Sequence, residues 1–255
     1  MLIEFFTWLA SQSISSAHKA GLTSEVAGIA GRYARNEIAW EPHLKQTSAF
    51  IEQKLALADP KKPILVLGSG LCLDLPLKAL NAHPSGAVLV DAVLPFKARF
   101  KCRKLKNISF QCADITGFLK EFWAGDKTTQ ITPPDIAPMP NGNFGMVISC
   151  NLLSQLPLSF TNSPPSGETE QRLTAAIQLA HMRALNTIRC PLIIITDYER
   201  LETEHGKTTN IPTVAPHLLP GEPQQAWKWH IAPNGEVRTG LDIKLNVGAW
   251  LLSDY

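Results

Sequence analysis

The sequence lacks a large excess of charge of either sign. Lys and Arg together number 24, Asp and Glu together number 22, and the formal net charge is therefore only +2. A charge this small produces no field over the whole molecule that would attract a nucleic acid or an acidic membrane. Composition therefore predicts neither a nucleic-acid nor a membrane partner.

Paired cysteines and a long apolar start are also missing. The five cysteines form no C-x-x-C pair and lie far apart, which argues against a disulfide framework and a zinc site and predicts reduced thiols and no metal. The first twelve residues carry Glu4, no basic start, and an apolar run too short for a signal peptide or a membrane-spanning helix. We therefore expect a cytoplasmic protein.

The hydrophobic spacing changes once along the chain. Up to about residue 58, apolar residues recur every three to four positions and predict an all-helical leader, which begins with Leu2, Phe5, Phe6 and Leu9. Beyond Pro60–Pro63, short apolar runs alternate with helix-length segments, which predicts a parallel sheet in an α/β fold. The predicted parallel strands are Ile64–Leu67, Ala87–Val90, Ile108–Phe110, Phe144–Ser149 and Leu192–Thr196.

The last part of the chain predicts an antiparallel hairpin. Its strands are Ala226–Ala232 and the alternating Asp242–Leu252, around a turn at Pro233–Glu236. Before it, a helix from Glu168 to about Ile188 leads into the strand that ends at Asp197, and another helix is expected to begin at Tyr198. We thus predict a mostly parallel seven-stranded sheet ending in an antiparallel hairpin, unlike the wholly parallel dinucleotide-binding fold.

A glycine-rich turn follows the first predicted strand, in Ile64-Leu-Val-Leu-Gly-Ser-Gly-Leu-Cys-Leu-Asp74. Gly68 and Gly70 permit a sharp bend and the close approach of a ligand to the N-terminus of the next helix, although a tight turn without a ligand has the same pattern. Leu73 stands where the dinucleotide fingerprint has its third glycine, which argues against nicotinamide dinucleotide. Asp74 either contacts the ligand or caps the helix.

Acidic and amide side chains follow the next three strands. Asp91 lies roughly 20 residues after the glycines, where a carboxylate accepts hydrogen bonds from the ribose hydroxyls of NAD or of S-adenosylmethionine (SAM); capping the following helix is the alternative. Asp114 follows the third strand. Asn151 and Gln155 follow the fourth and either orient a substrate or satisfy loop backbone groups.

Three segments resemble a group of bacterial methyltransferase-like proteins within the class I SAM-dependent methyltransferase superfamily. They are Leu65-Val-Leu-Gly-Ser-Gly-Leu-Cys-Leu-Asp-Leu-Pro-Leu77, Ser149-Cys-Asn-Leu-Leu-Ser-Gln-Leu-Pro157 and Trp227-Lys-Trp-His-Ile-Ala-Pro233. The resemblance implies a Rossmann-like fold that binds SAM, with an N-terminal helical lid over residues 1–60 and a SAM-binding domain over 61–255. Val66 and Cys72 replace an acidic residue and a glycine of the usual motif.

The resemblance also implies roles for individual residues. Gly68 and Gly70 would accommodate the methionine part of SAM, Asp91 the ribose, and Asp114 the adenine. The full set of expected cofactor-binding residues is Gly68, Ser69, Gly70, Asp74, Asp91, Ala92, Asp114, Ile115 and Asn151.

The leader supplies candidate residues for the substrate. Leaders of this superfamily often fold over the cofactor, and Arg32, Arg35 and His43 would there hold an anionic substrate or take a proton. His43 and Asn151 are therefore the catalytic candidates, with a structural role as the alternative for His43. A base is dispensable where positioning and desolvation supply much of the acceleration.

One basic cluster leaves a further partner to consider. The basic surface that this cluster would form could bind RNA or an acidic protein. Because Phe100 is the only aromatic residue in the cluster that could stack on a base, we favour a basic surface that is simply exposed to solvent. The cluster consists of Lys97, Arg99, Lys101, Arg103, Lys104 and Lys106. The sequence thus predicts methyl transfer to a small-molecule or peptide acceptor, with an NAD-dependent oxidoreductase and a non-catalytic interaction protein as alternatives.

Overall fold

The computed structural model describes residues 11–124, 132–161 and 168–253. Its strands are β1 Gln12–Ser13, β2 Ile64–Leu67, β3 Ala87–Asp91, β4 Val93–Leu94, β5 Ile108–Cys112, β6 Met146–Cys150, β7 Leu192–Glu204, β8 Lys207–Pro212, β9 Gln225–Ala232 and β10 Leu241–Leu252. Its helices are α1 Ser15–Lys19, α2 Leu22–Lys54, α3 Leu77–Ala82, α4 Phe96–Cys102, α5 Leu119–Ala124, α6 Leu158–Thr161 and α7 Glu168–Leu185, with 3-10 turns at Leu55–Leu57 and Pro216–Leu218.

The main sheet has eight strands in the order β5-β3-β2-β6-β7-β10-β9, with β8 paired to β7. The strands from β5 to β7 pair in parallel, whereas β10 is antiparallel to both β7 and β9. All residues of β2 and β6 are buried, as expected for central strands covered on both faces. The predicted parallel sheet with a closing antiparallel hairpin is confirmed, with β8 as an additional strand.

The path of the chain after Asp197 differs from the prediction. β7 continues to Glu204, and the helix expected to begin at Tyr198 is wrong. Residues 199–204 pair with β10 on one side and with β8 on the other, so their backbone groups have partners without a helix. His205 and Gly206, with φ of 49° and 78°, form the two-residue turn between β7 and β8, because such hairpin turns need positive φ at both positions.

The predicted helical leader is confirmed over its described residues, apart from the short β1, which pairs with β4; Leu2, Phe5, Phe6 and Leu9 lie outside them. The long helix α2 bends at Asn36, where φ is −124° and ψ is 27°. The Asn36 side-chain amide donates to the carbonyl of Arg32, and Pro42 brings no N–H to the helix ladder. The second half of α2 packs its buried Trp40, His43 and Phe50 into the core beside β9 and β10.

Two helices near the glycine turn and the basic cluster are short. α3 begins at Leu77, seven residues after Gly70, rather than directly after the turn. α4 ends at Cys102, so Arg103, Lys104 and Lys106 lie beyond it. Within the described ranges, no helix combines the length and apolar character needed to cross a membrane. All five cysteines have free thiols.

Candidate functional site

A pocket of about 420 Å³ lies at the carboxyl ends of β2, β3, β6 and β7. Parallel sheets bind ligands at this edge, where the strand order reverses between β2 and β6. Helix α2 and the β9–β10 hairpin contribute the opposite walls, and the volume is within the range of small-molecule sites. Every residue expected around the cofactor, together with His43, lines this pocket.

The glycine turn is shaped by close contact with the neighbouring strand. Gly68 has φ of +81°, and a Cβ added there would lie 2.6 Å from the carbonyl oxygen of Cys150. Gly70 has φ of +42°, but a Cβ there would meet nothing within 4 Å, so its backbone borders open pocket space. The Ser69 hydroxyl is buried and has no hydrogen-bond partner among the described residues. The turn therefore offers a bare backbone and a hydroxyl to a ligand.

Asp91 connects the glycine turn to β3. One carboxylate oxygen accepts a hydrogen bond of 2.8 Å from Gly70 N, and the other accepts one of 3.3 Å from Val93 N. Burial raises the pKa of this carboxyl, while these backbone N–H groups oppose the rise. Because α4 begins only at Phe96 and has no side-chain cap, Asp91 does not cap that helix. It holds the turn in shape and borders the pocket beside Ala92.

Asp114 stabilises its own loop. One carboxylate oxygen accepts hydrogen bonds from the backbone N and the hydroxyl of Thr116, at 2.8 and 2.6 Å, and the other accepts one of 2.9 Å from the N of Leu119, the first residue of α5. Three of the roughly four acceptor positions of a carboxylate are thus used. The neighbouring Ile115 is buried and lines the pocket.

Asp74 and Asn151 face each other across the pocket floor. The Asn151 side-chain amide donates a hydrogen bond of 2.6 Å to Asp74, and Asn151 adopts positive φ of 47°. Burial raises the pKa of the Asp74 carboxyl, and the bond from Asn151 opposes this shift. α3 has Pro76 at its start and no side-chain cap, so the helix-cap alternative for Asp74 is wrong.

His43 is buried between the sheet and the pocket. Its ring stacks on Trp229 at a centroid distance of 4.0 Å, its Nδ1 accepts a hydrogen bond of 3.0 Å from Trp227, and its Nε2 lies 3.4 Å from the Asn151 amide. Burial lowers the pKa of His43 to about 3. A neutral ring whose Nδ1 lone pair is already engaged is poorly suited to take a proton, and the other role considered for His43, structural, fits better.

Asp197, which ends the predicted fifth strand, lines the pocket, as do three residues not expected there, Arg200, Trp229 and Leu245. Asp197 accepts a hydrogen bond of 2.5 Å from the Ser154 hydroxyl and is buried, which raises its pKa. Trp229, Leu245 and Arg200 enter the pocket from three adjacent strands. Alternation along the hairpin was the available signal, because every second residue of a strand faces the same side. Two other histidines, His181 and His230, do not line the pocket.

Comparisons with known proteins return solved structures only. No family model matches this sequence, and no curated protein does. A Burkholderia thailandensis 1,6-didemethyltoxoflavin-N1-methyltransferase, solved with S-adenosylhomocysteine (SAH), is 12% identical, with 95% of this chain and 92% of that one covered and a TM-score of 0.42. A Geobacter sulfurreducens SAM-dependent methyltransferase, also solved with SAH, is 11% identical. The match covers 82% of this chain and 91% of that one, with a TM-score of 0.38.

PKMT2 from Rickettsia typhi, solved with the same product, is 13% identical with a TM-score of 0.29; the match covers 55% of this chain and only 21% of PKMT2. All these values describe a distant likeness. The strand order of the chain itself is more informative, because it places an antiparallel strand between β7 and β9 at the end of a parallel sheet. This is the strand order of the class I SAM-dependent methyltransferase fold.

Proposed function

We propose that this chain is a SAM-dependent methyltransferase whose cofactor lies at the carboxyl edge of β2 and β3. The observation that carries the proposal is the hydrogen bond from Gly70 N to Asp91, which couples a glycine turn to an acidic strand end within this strand order. The turn and the acid together suit a nucleoside attached to a small charged chain.

The residues present fit such a cofactor. The open space beside Gly70 admits a ligand against the backbone, and the buried Ser69 hydroxyl lacks a partner among the described residues. We assign Gly68, Ser69 and Gly70 to the methionine part. We assign Asp91 and Ala92 to the ribose, Asp114 and Ile115 to the adenine, and Asp74 with Asn151 to the region of the reacting methyl.

The protein would act mainly by positioning. When bound, the cofactor supplies a methyl group on a sulfonium, already activated for displacement by a lone pair of the acceptor. The partly buried Asp74–Asn151 pair would fix an amide close to that point, and the apolar walls would exclude water around it. The neutral His43 holds one edge of the cavity rigid through its stacking on Trp229.

Residues 1–60 would form a lid over this domain, which would comprise residues 61–255. The support is the position of α2, whose Val26, Ile29 and Leu44 line the pocket opposite the glycine turn. The turn after β9 fastens this helix, because Glu236 accepts hydrogen bonds from Arg35 and Asn36. Opening this contact would expose the cavity without disturbing the sheet.

Titration calorimetry with SAM, SAH and NADH tests the proposal. We expect saturable heat with SAM and SAH, a rise in Tm with each, and neither with NADH. A folded protein that gives no heat and no change in Tm with SAM and SAH would refute the assignment. Binding of NADH instead would favour the oxidoreductase alternative, and absence of binding by all three would favour an interaction protein.

A further inference from the structure

Three adjacent strands form a platform at the end of the pocket away from the glycine turn. In the pairing register, Leu245 of β10 lies between Trp229 of β9 and Arg200 of β7, and these three side chains define the platform. Cross-strand neighbours in register project from the same face of a sheet, and all three line the pocket. One end of the platform is therefore aromatic and the other is cationic.

The aromatic end has an unused donor. Trp229 is 6% exposed, and its Nε1 has no hydrogen-bond partner among the described residues. His43 covers it at 4.0 Å, nearly parallel, and Trp40 meets it at 4.8 Å with the rings at 87°. The two contacts fix the Trp229 ring, so its position does not depend on a ligand. A planar apolar group next to Leu245 would meet a rigid wall with one N–H to offer.

Two arginines line the pocket, Arg200 at the cationic end of the platform and Arg32 on α2. Arg32 of α2 lies 3.8 Å from Glu236, a carboxylate already bonded at 2.7 Å to Arg35. Arg200 lies 2.7 Å from Glu202. Both contacts are made by Nε, so within the described part of the chain the two terminal nitrogens of each guanidinium make no ion pair with these carboxylates. Their side chains are 37% and 41% exposed, so both are accessible while lining the cavity.

Charge is unevenly distributed along the pocket, which also contains the carboxyl groups of Glu25 on α2 and Asp197 on β7. Three carboxyl groups, those of Asp74, Asp91 and Asp114, lie around the proposed cofactor, where a sulfonium and an ammonium would sit. The two arginines lie on the platform side, where they would disfavour a cationic amine acceptor and attract an anion. A guanidinium matches the planar, two-oxygen geometry of a carboxylate better than a point charge does.

We propose that the methyl acceptor is a small organic carboxylate with a planar apolar body, held by Arg32 and Arg200 through its carboxylate and by Trp229 and Leu245 through its body. This rests on the proposed function, since the acceptor end is defined relative to the cofactor. The carboxylate anchors the molecule, and the methyl group goes to an atom of the body that faces Asn151.

The test uses 2-naphthoate as the probe, with 2-naphthamide as its uncharged counterpart and octanoate as a non-planar acid. Each is titrated calorimetrically into the full chain saturated with SAH. We expect 2-naphthoate to bind at least ten-fold more tightly than either of the other two. Replacing Arg200 or Arg32 by Leu should weaken naphthoate binding by about 10- to 100-fold, the range for a charged hydrogen bond, and leave naphthamide unaffected.

Arg189→Leu is the matched control, because among the described residues this exposed arginine bonds to the nearby backbone carbonyls of Asn186 and Ile188 and it does not line the pocket. The naphthoate affinity of this variant should not change. Equal affinity for acid and amide, or no binding of 2-naphthoate while SAH still binds, would overturn the acceptor class and leave the proposed function standing. Octanoate binding as tightly as 2-naphthoate would overturn the planar body. Failure of SAH itself to bind would refute the proposed function.

Discussion

The indole N–H of Trp227 donates to Nδ1 of His43 across 3.0 Å, between residues 184 positions apart in the sequence. An indole nitrogen only donates, so Nδ1 must be the unprotonated nitrogen of this neutral ring. The proton of His43 therefore sits on Nε2, 3.4 Å from the Asn151 amide nitrogen; because that nitrogen is also a donor, the contact is not a hydrogen bond. His43 presents a donor to the pocket.

Replacement of Trp227 by Phe should release this constraint. Long-range ¹H–¹⁵N spectra of the wild type should show His43 as the neutral Nε2–H form at pH 6, and Trp227→Phe should shift both of its nitrogen resonances toward a mixture of tautomers. His181, which does not contact Trp227, serves as the internal control. A wild-type spectrum with the proton on Nδ1 would contradict the structure.

Two buried histidines predict a loss of stability in mild acid. Burial lowers the pKa of His43 to about 3 and that of His181 to about 4, both below the ordinary value of about 6.5. As pH falls below about 6.5, the unfolded chain binds protons that the folded chain does not, so the free energy of unfolding falls until the folded values are reached. Each histidine should cost about 2 kcal/mol between pH 7 and pH 5.

The raised pKa values of Asp74, Asp91 and Asp197 oppose this trend, because a carboxyl that holds its proton in the folded state favours folding in acid. Comparison with His181→Gln cancels their contribution. Urea unfolding at both pH values should show a pH-dependent loss about 2 kcal/mol smaller in the variant, whatever its stability at pH 7. If the free energy of unfolding changed between pH 7 and pH 5 by the same amount in the variant and the wild type, His181 would take up its proton in the folded state.

The two glycines of the turn should tolerate alanine differently. Gly70→Ala meets no atom within 4 Å and should cost only the left-handed backbone strain, about 1 to 2 kcal/mol. Gly68→Ala adds a clash at 2.6 Å with the backbone oxygen of Cys150, and overpacking adds about 1 to 3 kcal/mol. Denaturant unfolding at pH 7 should rank Gly68→Ala as the less stable. Equal losses would mean that β6 moves away without cost.

Replacement of Asp91 tests the cofactor site. Asp91→Ala removes the acceptor for Gly70 N and the carboxylate proposed to bind the ribose, so SAH affinity should fall by about 1.5 to 3 kcal/mol. Asp91→Asn keeps one acceptor oxygen, so its SAH affinity should fall by less. Asp135→Ala, at a side chain 80% exposed, is the control and should bind SAH as the wild type does. Wild-type affinity in Asp91→Ala would limit this residue to shaping the turn.

The contact between Glu236 and α2 should control how fast the backbone amide hydrogens of the proposed lid exchange with solvent. Glu236→Ala removes the acceptor of Arg35, at 2.7 Å, and of Asn36, at 2.9 Å. Amide hydrogen exchange around the bend at Asn36 should then become faster, with a small change in overall stability because the pairs are partly exposed. Glu204→Ala breaks the nearby pair with Arg238 and should not affect α2. Equal protection in both variants would argue against a fastening role.

The parallel strands were predictable because strands buried on both faces appear as unbroken apolar runs, as in Ile64–Leu67. The end of β7 was not predictable, because Tyr198–Glu204 is mainly polar and a His-Gly turn is a weaker hairpin signal than Asn-Gly. The pairing of this segment with β10 depends on residues some 40 positions later in the sequence.

The acidic half of the site was also predictable, since Asp91 and Asp114 follow strands directly. The platform at the other end of the pocket was not predictable. Arg200, Leu245 and Trp229 come from three strands, and only the pairing of these strands brings them to one cavity. The sequence left a helix cap open as the alternative role of Asp74, because a polar residue before a helix resembles a cap until its partner Asn151 is known.

The added strand β8 leaves one border of the sheet open to solvent. All six of its residues are exposed, and it pairs only with β7 among the described strands. An unpaired border of this kind invites another chain to add a strand and so to aggregate. Here the strand is short, begins with Lys207 and ends with Pro212, which has no N–H to give. The hairpin that extends the pocket wall thus carries its own protection against self-association.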